Sequence, residues 1–391
     1  MSDPIVRGWC PGALRPMLSG DGLVVRIRPP LGRLRAEQAV GVALLARQHG
    51  NGLIDLSSRA NLQLRGIAAE NHPALIAGLR ALDLVDATAG AEARRNIVLT
   101  PFWQTGDDSA RIAAALAAAL TAPDAPALPG KFGFAVDCGA APVLTGTPAD
   151  IRLERDTTNG LICRADGAAA GARVTVETAT DTALTLARWF LESGGAPEGR
   201  GRMARHLASG VTLPPAFTQC PAAAGTTPPA PGPCAQGVLA ALEFGQIDAE
   251  TLATLAELGP LRLTPWRMLL IEGAARAAAL PGLIADPADP RLRVVACTGA
   301  PACPQALSAT RPLARALASA LPPALPQDAR LHVSGCTKGC AHPGPAPFTL
   351  VATGPDRFDL IRRGRASDPP DRSDLTADAL TAHPDLLTEG P

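Results

Sequence analysis

The sequence predicts an α/β (α+β) fold built from two pseudo-symmetric halves. Three observations carry this prediction. Four segments recur in the same order in each half, short apolar strands alternate with helical patterns, and a Pro/Ala/Gly-rich stretch divides the chain. The repeat is plainest in Gly52–Ile67, GLIDLSSRANLQLRGI, and Gly259–Ala274, GPLRLTPWRMLLIEGA. Both read glycine, short apolar strand, Ser/Thr-containing turn, second apolar strand, glycine, which is a hairpin pattern. A helical pattern precedes each hairpin, at Ala36–His49 and Asp248–Glu257, and Asp248 is the expected N-cap of the second. Downstream, RNIVLTP (Arg95–Pro101) parallels RVVACTG (Arg293–Gly299), and LPGKFGFAVDCG from Leu128 parallels LPQDARLHVSGC from Leu325.

Between the repeats, Thr218–Gly237 is dense in Pro, Ala and Gly and is expected to be an extended, poorly packed linker. In the second half an alanine-rich helical pattern, Pro304–Leu321, lies between the strand patterns Arg291–Ala296 and Arg330–Ser334. Strand–helix–strand is a crossover unit suited to a parallel or mixed sheet.

At 391 residues the chain can bury two or three sizeable cores. Its 36 basic and 36 acidic side chains balance, so no overall field favours nucleic acid or an anionic membrane. Aromatic residues are 3% and tyrosine is absent, which removes the stacking platforms of an RNA or DNA binder. No uncharged apolar run approaches the ~20 residues of a membrane span, and the first residues lack the apolar core of a signal peptide. Nine cysteines then suggest reduced thiols, and the cytoplasm is the expected location. Arginine supplies nearly all the positive charge; the two lysines, Lys131 and Lys338, are candidates for specific roles, because an ammonium gives up a proton far more readily than a guanidinium.

Two cysteine pairs carry the chemistry: Cys297 and Cys303 in CTGAPAC, and Cys336 and Cys340 in CTKGC. Each pair begins where a strand pattern ends and a loop starts. Four thiolates from two loops can wrap a [4Fe–4S] cube, each iron taking one sulfur. Buried structural thiols or a zinc site are the alternatives, although structural zinc favours shorter spacings within a pair. In the first half the corresponding loops hold only Cys138, without partners, so the cluster is expected in the second half alone.

The cysteine spacing, the half-chain repeat and the stretch SSRANLQLRG resemble the sulfite and nitrite reductase superfamily. The segments RGWCPGALRPMLSGDGLVVRIRP, HGNGLIDLSSRANLQLRG, LPGKFGFAVDCG, LRLTPWR and VSGCTKGCAHPGP are most similar to its cobalamin-pathway branch, the precorrin-3B synthases. They spread over most of the chain. The resemblance implies ferredoxin-like half-domains at 1–70 and 238–288, reductase-type α/β domains at 71–217 (without cluster ligands) and 289–391 (binding the cluster), and a linker at 218–237. It also implies a cavity for a tetrapyrrole. The arginine after the Ser/Thr pair falls on Arg59, the arginine of the R-N strand on Arg95, and the first lysine of the K-x-K element on Lys131. Gly133 replaces the second lysine, which argues against sulfite reduction. Cys340 matches the cysteine whose sulfur bridges cluster and siroheme iron in the reductases.

Arginine forks bind carboxylates bidentately, and a precorrin or siroheme rim carries many carboxylates. Arg59, Arg65, Arg94, Arg95, Lys131 and Lys338 all lie in the motif loops and are the expected tetrapyrrole-binding set. The branch is also associated with a mononuclear non-haem iron, for which His332 and His342 are the candidates. Cys10 in GWCPG is family-like and expected to be an inert buried thiol. No G-x-G-x-x-G fingerprint follows a strand, so electrons are expected from a separate ferredoxin or NAD(P)H reductase. The implied reaction is O2-dependent hydroxylation of precorrin-3A; a siroheme-dependent sulfite or nitrite reductase is the second reading, and a non-catalytic cluster or tetrapyrrole carrier the third.

Overall fold

The computed structural model describes residues 11–320 and 330–388. The first half opens with β1 (Met17–Ser19), β2 (Gly22–Ile27) and the short β3 (Arg33–Leu34). Helix α1 (Ala36–His49), the hairpin β4 (Leu53–Leu56) and β5 (Leu62–Ile67), and helices α2 (His72–Ala81) and α3 (Ala89–Arg94) follow. An α/β unit comes next, with β6 (Ile97–Leu99), α4 (Asp108–Thr121), β7 (Phe134–Asp137), β8 (Ile151–Arg155), β9 (Leu161–Ala165) and β10 (Ala170–Arg173). Helices α5 (Ala179–Glu192) and α6 (Met203–Ala208) and the edge strand β11 (Cys220–Pro221) complete it.

The second half repeats the plan. It contains β12 (Gly232–Cys234), β13 (Gly237–Leu242), β14 (Gln246–Asp248), α7 (Ala249–Leu258), the hairpin β15 (Leu261–Leu263) and β16 (Met268–Glu272), and β17 (Leu283–Ile284). Its α/β unit has β18 (Val294–Ala296), α8 (Arg311–Ala320), β19 (Leu331–Ser334), β20 (Ala346–Gly354), β21 (Arg357–Gly364), β22 (Arg372–Thr376) and α9 (Ala377–Ala382).

Local chemistry places the helices where the sequence predicts them. The Arg35 amide donates to Gln38 Oε1 at 3.0 Å, opening α1, whose Ala39, Val42, Ala43 and Ala46 are buried. Asp248 caps α7, accepting from the Thr251 amide and hydroxyl, each at 2.8 Å. The two helices pack on each other over one shared core with Leu252, Leu255, Ile54, Leu64 and Ile271.

The halves are joined by exchanged strands. The first five-stranded sheet runs β1-β2-β5-β4-β14, and the corresponding second sheet β12-β13-β16-β15-β3. Gln246 pairs with Asp55 across β14 and β4, and Arg33 with Arg262 across β3 and β15. Each half thus lends a short strand to the other, of two and three residues. The backbone repeats closely: Leu31 (φ 54°, ψ 20°) and Phe244 (φ 53°, ψ 19°) occupy matching turns.

In the α/β units β6, β7 and β8 are parallel, as are β18, β19 and β20, so both strand–helix–strand units are parallel crossovers. The register corrects the sequence alignment by one residue. Ile97 sits opposite Phe134 and Val294 opposite Leu331, so Thr100, not Leu99, corresponds to Cys297. The helix expected from Pro304 starts only at Arg311, because residues 304–310 fold as a loop against the cysteines; Leu321 and the Leu325–Ala329 part of the repeat lie outside the described residues. The strand expected from Arg291 begins at Val294, after a 3₁₀ turn capped by Asp289. The linker is also less free than expected. Cys220–Pro221 pairs with β10, Gly232–Cys234 with β13, and the Thr226 amide donates to the Pro142 carbonyl at 2.7 Å. Proline is tolerated on such edge strands because one side of the strand needs no N–H. Among the described residues no helix is long and apolar enough to cross a membrane.

Candidate iron–sulfur and anion-binding site

The parallel crossover of the second half brings the cysteine loops together. Cys297 directly follows β18 and its amide continues the ladder to the Val333 carbonyl at 3.2 Å. Cys336 lies just beyond β19, and the Gly335 amide donates to Cys297 Sγ at 3.1 Å, tying the two strand ends together. A Cβ on Gly335 would stand 2.6 Å from the Ala306 Cβ, so only glycine allows this approach. Thr310 Oγ1 donates to the Cys297 carbonyl at 2.7 Å, and the Cys303 amide to the Gly299 carbonyl at 2.8 Å. Cys340 is the most open of the four. Loss of water around the sulfurs pushes the Cys336 and Cys340 thiols up, and the neighbouring Cys297 and Cys303 add to this while the Lys338 ammonium opposes it. The Cys336 and Cys340 sulfurs thus lie within electrostatic reach of Cys297 and Cys303. The eight described cysteines are free thiols.

Among the described residues no three His, Cys, Asp or Glu side chains converge tightly enough to share one metal ion. A cube takes each thiolate on a different iron, and four soft sulfurs spread over two loops fit it.

Cations surround these loops. Arg65 donates to Asp21 (2.8 and 2.9 Å), Asp55 (3.0 Å), Ser19 Oγ (3.3 Å) and the Ala302 carbonyl (3.3 Å). Arg311, at the start of α8, reaches Asp55 at 3.3 Å. Arg267 donates to the Ala341 carbonyl at 2.9 Å; burial pulls its pKa down, with Arg311 and Arg330 adding to the effect.

A cavity of about 460 Å³ lies between the first half-sheet and α4, lined among others by Arg28, Leu31, Asn61, Asp86, Arg95 and Ala117. Arg95 holds Asp86 through two bonds of 2.8 Å and reaches the Arg28 carbonyl. Arg28 stands 3.4 Å from the buried Glu92. Asn61 Nδ2 is buried without a hydrogen-bond partner among the described residues. Arg59 is half-buried in the turn just before Ala60 and Asn61, which line the cavity. Lys131 is exposed ahead of β7, beside the start of β6 that Arg95 precedes. At Gly133 a Cβ would come 2.7 Å from Asn96 Nδ2 and 3.1 Å from the Asn96 carbonyl oxygen, so a lysine at this position would require Asn96 to shift.

Three expectations change. Every nitrogen of Arg65 has a partner within the chain, so it braces a loop instead of waiting for a ligand. Arg94 donates to the Leu120 and Ala122 carbonyls and serves the C-terminus of α4. His332 and His342 do meet, with ring centroids 5.8 Å apart, but no third ligand joins them among the described residues. His332 is fully buried with neither ring nitrogen hydrogen-bonded there; burial, then His342 and Arg267, lower its pKa to about 4. Lys338 is exposed between Cys336 and Cys340, and Cys10 lies outside the described residues. The sequence reading missed Arg28, Arg267 and Arg311. Arg28 lies in VVRIRP, but only its burial and its approach to Glu92 single it out from the other arginines.

Residues 15–82 match the nitrite/sulfite reductase ferredoxin-like half domain. The chain is 26% identical to a ferredoxin–nitrite reductase of Synechococcus elongatus, over 86% of this chain and 77% of that one. Its fold is similar to that of the NirA protein of Mycobacterium tuberculosis, with a TM-score of 0.59 at 17% identity, covering 93% of this chain and 79% of NirA. It is 30% identical to a precorrin-3B synthase from a Sinorhizobium species, over 93% of this chain and 84% of that protein. On this near full-length identity and the half-domain match, the chain belongs to the precorrin-3B synthase family of the sulfite and nitrite reductase superfamily.

Proposed function

We propose that this protein converts precorrin-3A to precorrin-3B in aerobic cobalamin biosynthesis. In that reaction O2 hydroxylates a meso carbon of the macrocycle and a ring acetate closes a γ-lactone. One oxygen atom enters the ring and the other leaves as water, consuming two electrons and two protons. The observation that carries the proposal is the near full-length likeness to the Sinorhizobium enzyme. The glycine at 133, in place of the second lysine of the K-x-K element, favours it over sulfite reduction.

In this reading Cys297, Cys303, Cys336 and Cys340 hold a [4Fe–4S] cluster. When bound, the cluster supplies electrons one at a time from a ferredoxin or NAD(P)H reductase. Arg59, Arg95 and Lys131 grip carboxylates on the tetrapyrrole rim, with Lys338 near the Cys340 end. Charge-assisted forks of this kind are roughly twice as strong as neutral hydrogen bonds and fix orientation. Asp86 holds the Arg95 guanidinium in place through two bonds. Reduced cysteines fit a cytoplasmic enzyme.

The test is turnover of precorrin-3A with a chemical reductant and ¹⁸O2. The proposal expects a product heavier by one ¹⁸O atom. Unchanged precorrin-3A, with nitrite or sulfite consumed instead, would assign the chain to siroheme-dependent reduction.

A further inference from the structure

We infer that Arg65 and Arg267 are positioning residues for the two cysteine loops, each half of the repeat placing one guanidinium on the carbonyl beside the last cysteine of a pair. The inference rests on the reading of the four cysteines as cluster ligands.

The first loop is held at Ala302, the residue before Cys303. Its carbonyl accepts three donors: Ser19 Oγ at 2.7 Å, the Gly20 amide at 3.0 Å and Arg65 Nη2 at 3.3 Å. Arg65 cannot swing away, because Asp21 and Asp55 fix it from two sides and only 6% of its side chain is exposed. Asp55 also takes Arg311, which opens the helix that follows this loop. The second loop is held at Ala341, the residue after Cys340, by Arg267 Nη2 at 2.9 Å. Arg267 sits at φ 61° in the β15–β16 turn, the position that Ala60 (φ 53°) takes in the first half. Four thiolates carry more negative charge than an iron–sulfide cube returns, so a loaded site is anionic. Two guanidiniums bonded to the loop carbonyls both fix the loops and offset that charge.

The repeat contains its own control. The Arg65–Asp55 pair of the first hairpin corresponds to Glu272–Arg262 in the second, with the charges exchanged. Arg262 Nη1 donates to the carbonyls of Pro101 (2.8 Å) and Trp103, in the loop after β6 that corresponds to the Cys297 loop after β18. The same brace therefore serves both α/β units, but only one braced loop carries cysteines.

The experiment uses the full chain, purified anaerobically as wild type, Ser19→Ala, Arg65→Lys, Arg65→Gln, Arg267→Gln and Arg262→Gln. Iron and acid-labile sulfide are counted, and cluster loss to an iron chelator is followed by visible absorbance. Changes to residues that orient metal ligands commonly cost 10- to 100-fold in metal affinity, so Arg65→Gln and Arg267→Gln should release iron about 10-fold faster than wild type. Their reduced clusters should also show shifted electron paramagnetic resonance g-values. Arg65→Lys should be intermediate, Ser19→Ala should show a smaller acceleration that does not depend on recovering the Arg65 variants, and Arg262→Gln should release iron at the wild-type rate. Wild-type release rates in Ser19→Ala, Arg65→Gln and Arg267→Gln, with a full cluster in wild type, would overturn the inference alone. A wild-type protein without iron or sulfide would instead overturn the ligand assignment on which it rests.

Discussion

Replacing Glu272 by glutamine probes the exchanged-strand joint most directly. Glu272 accepts two 2.8 Å bonds from Arg33 on β3 and a further bond from Arg262 Nε on β15. Burial pushes its carboxyl up, but the Arg33 and Arg262 donors outweigh this and hold it below its ordinary range. Arg33 and Arg262 are cross-strand partners, so the neutral amide leaves two guanidiniums side by side. Removing one member of a buried charge network costs about 3–5 kcal/mol. Arg33 keeps 30% of its side chain exposed and recovers water, whereas Arg262 keeps 9%. The expected loss is therefore nearer 2–3 kcal/mol. Urea unfolding of Glu272→Gln, Arg33→Gln and the double variant measures it. The double-mutant cycle should show a coupling of at least about 1 kcal/mol, because Arg33→Gln relieves part of the repulsion. A depressed carboxylate contributes stability that is present above its unfolded pKa and lost as pH falls through the folded value, so Glu272→Gln should also flatten the acid side of the stability profile. Additive variants, or a Glu272→Gln protein within about 0.5 kcal/mol of wild type, would refute the joint.

Cys138 is buried with its thiol pushed up to about 12, chiefly by burial. A raised folded pKa gives stability that is intact below the unfolded value of 9.0 and lost as pH rises toward 12, amounting to about 2 kcal/mol lost by pH 10.5; Cys138→Ala should lack this alkaline loss in urea titrations at pH 8 and 10.5. Gly339 sits at φ +60°, and a Cβ there would stand 3.2 Å from that of Ala366. Gly339→Ala should lower stability by about 1–2 kcal/mol, read as a fall in thermal midpoint with the cysteines all present.

Much of this arrangement is written locally and so was legible in the sequence. The α1 boundaries, the Asp248 cap, both hairpins and the two parallel crossovers follow from periodicity, capping chemistry and turn residues within a few positions. Both cysteine pairs fall where strands end, as read. What escaped depends on pairings distant in the chain. The exchanged strands β3 and β14 are two and three residues long, too short to show alternation. Arg65 looks like a ligand arginine because its anchor Asp21 is 44 residues away in sequence, and only the fold brings the two together. Arg94 likewise finds its partner carbonyls 26 and 28 residues on, at the end of α4. The meeting of His332 and His342 was legible as proximity; the burial of His332 and the neighbouring Arg267 charge were not.

The most direct measurement is an anaerobic visible spectrum of wild type and Cys336→Ser, with iron and acid-labile sulfide counted on the same samples. A site of four cysteines in the precorrin-3B synthase reading predicts a broad violet shoulder without sharp tetrapyrrole bands and about four sulfides per chain, both much reduced in Cys336→Ser. Strong Soret and red bands that shift with sulfite or nitrite, or a spectrum and sulfide content unchanged by Cys336→Ser, would contradict it.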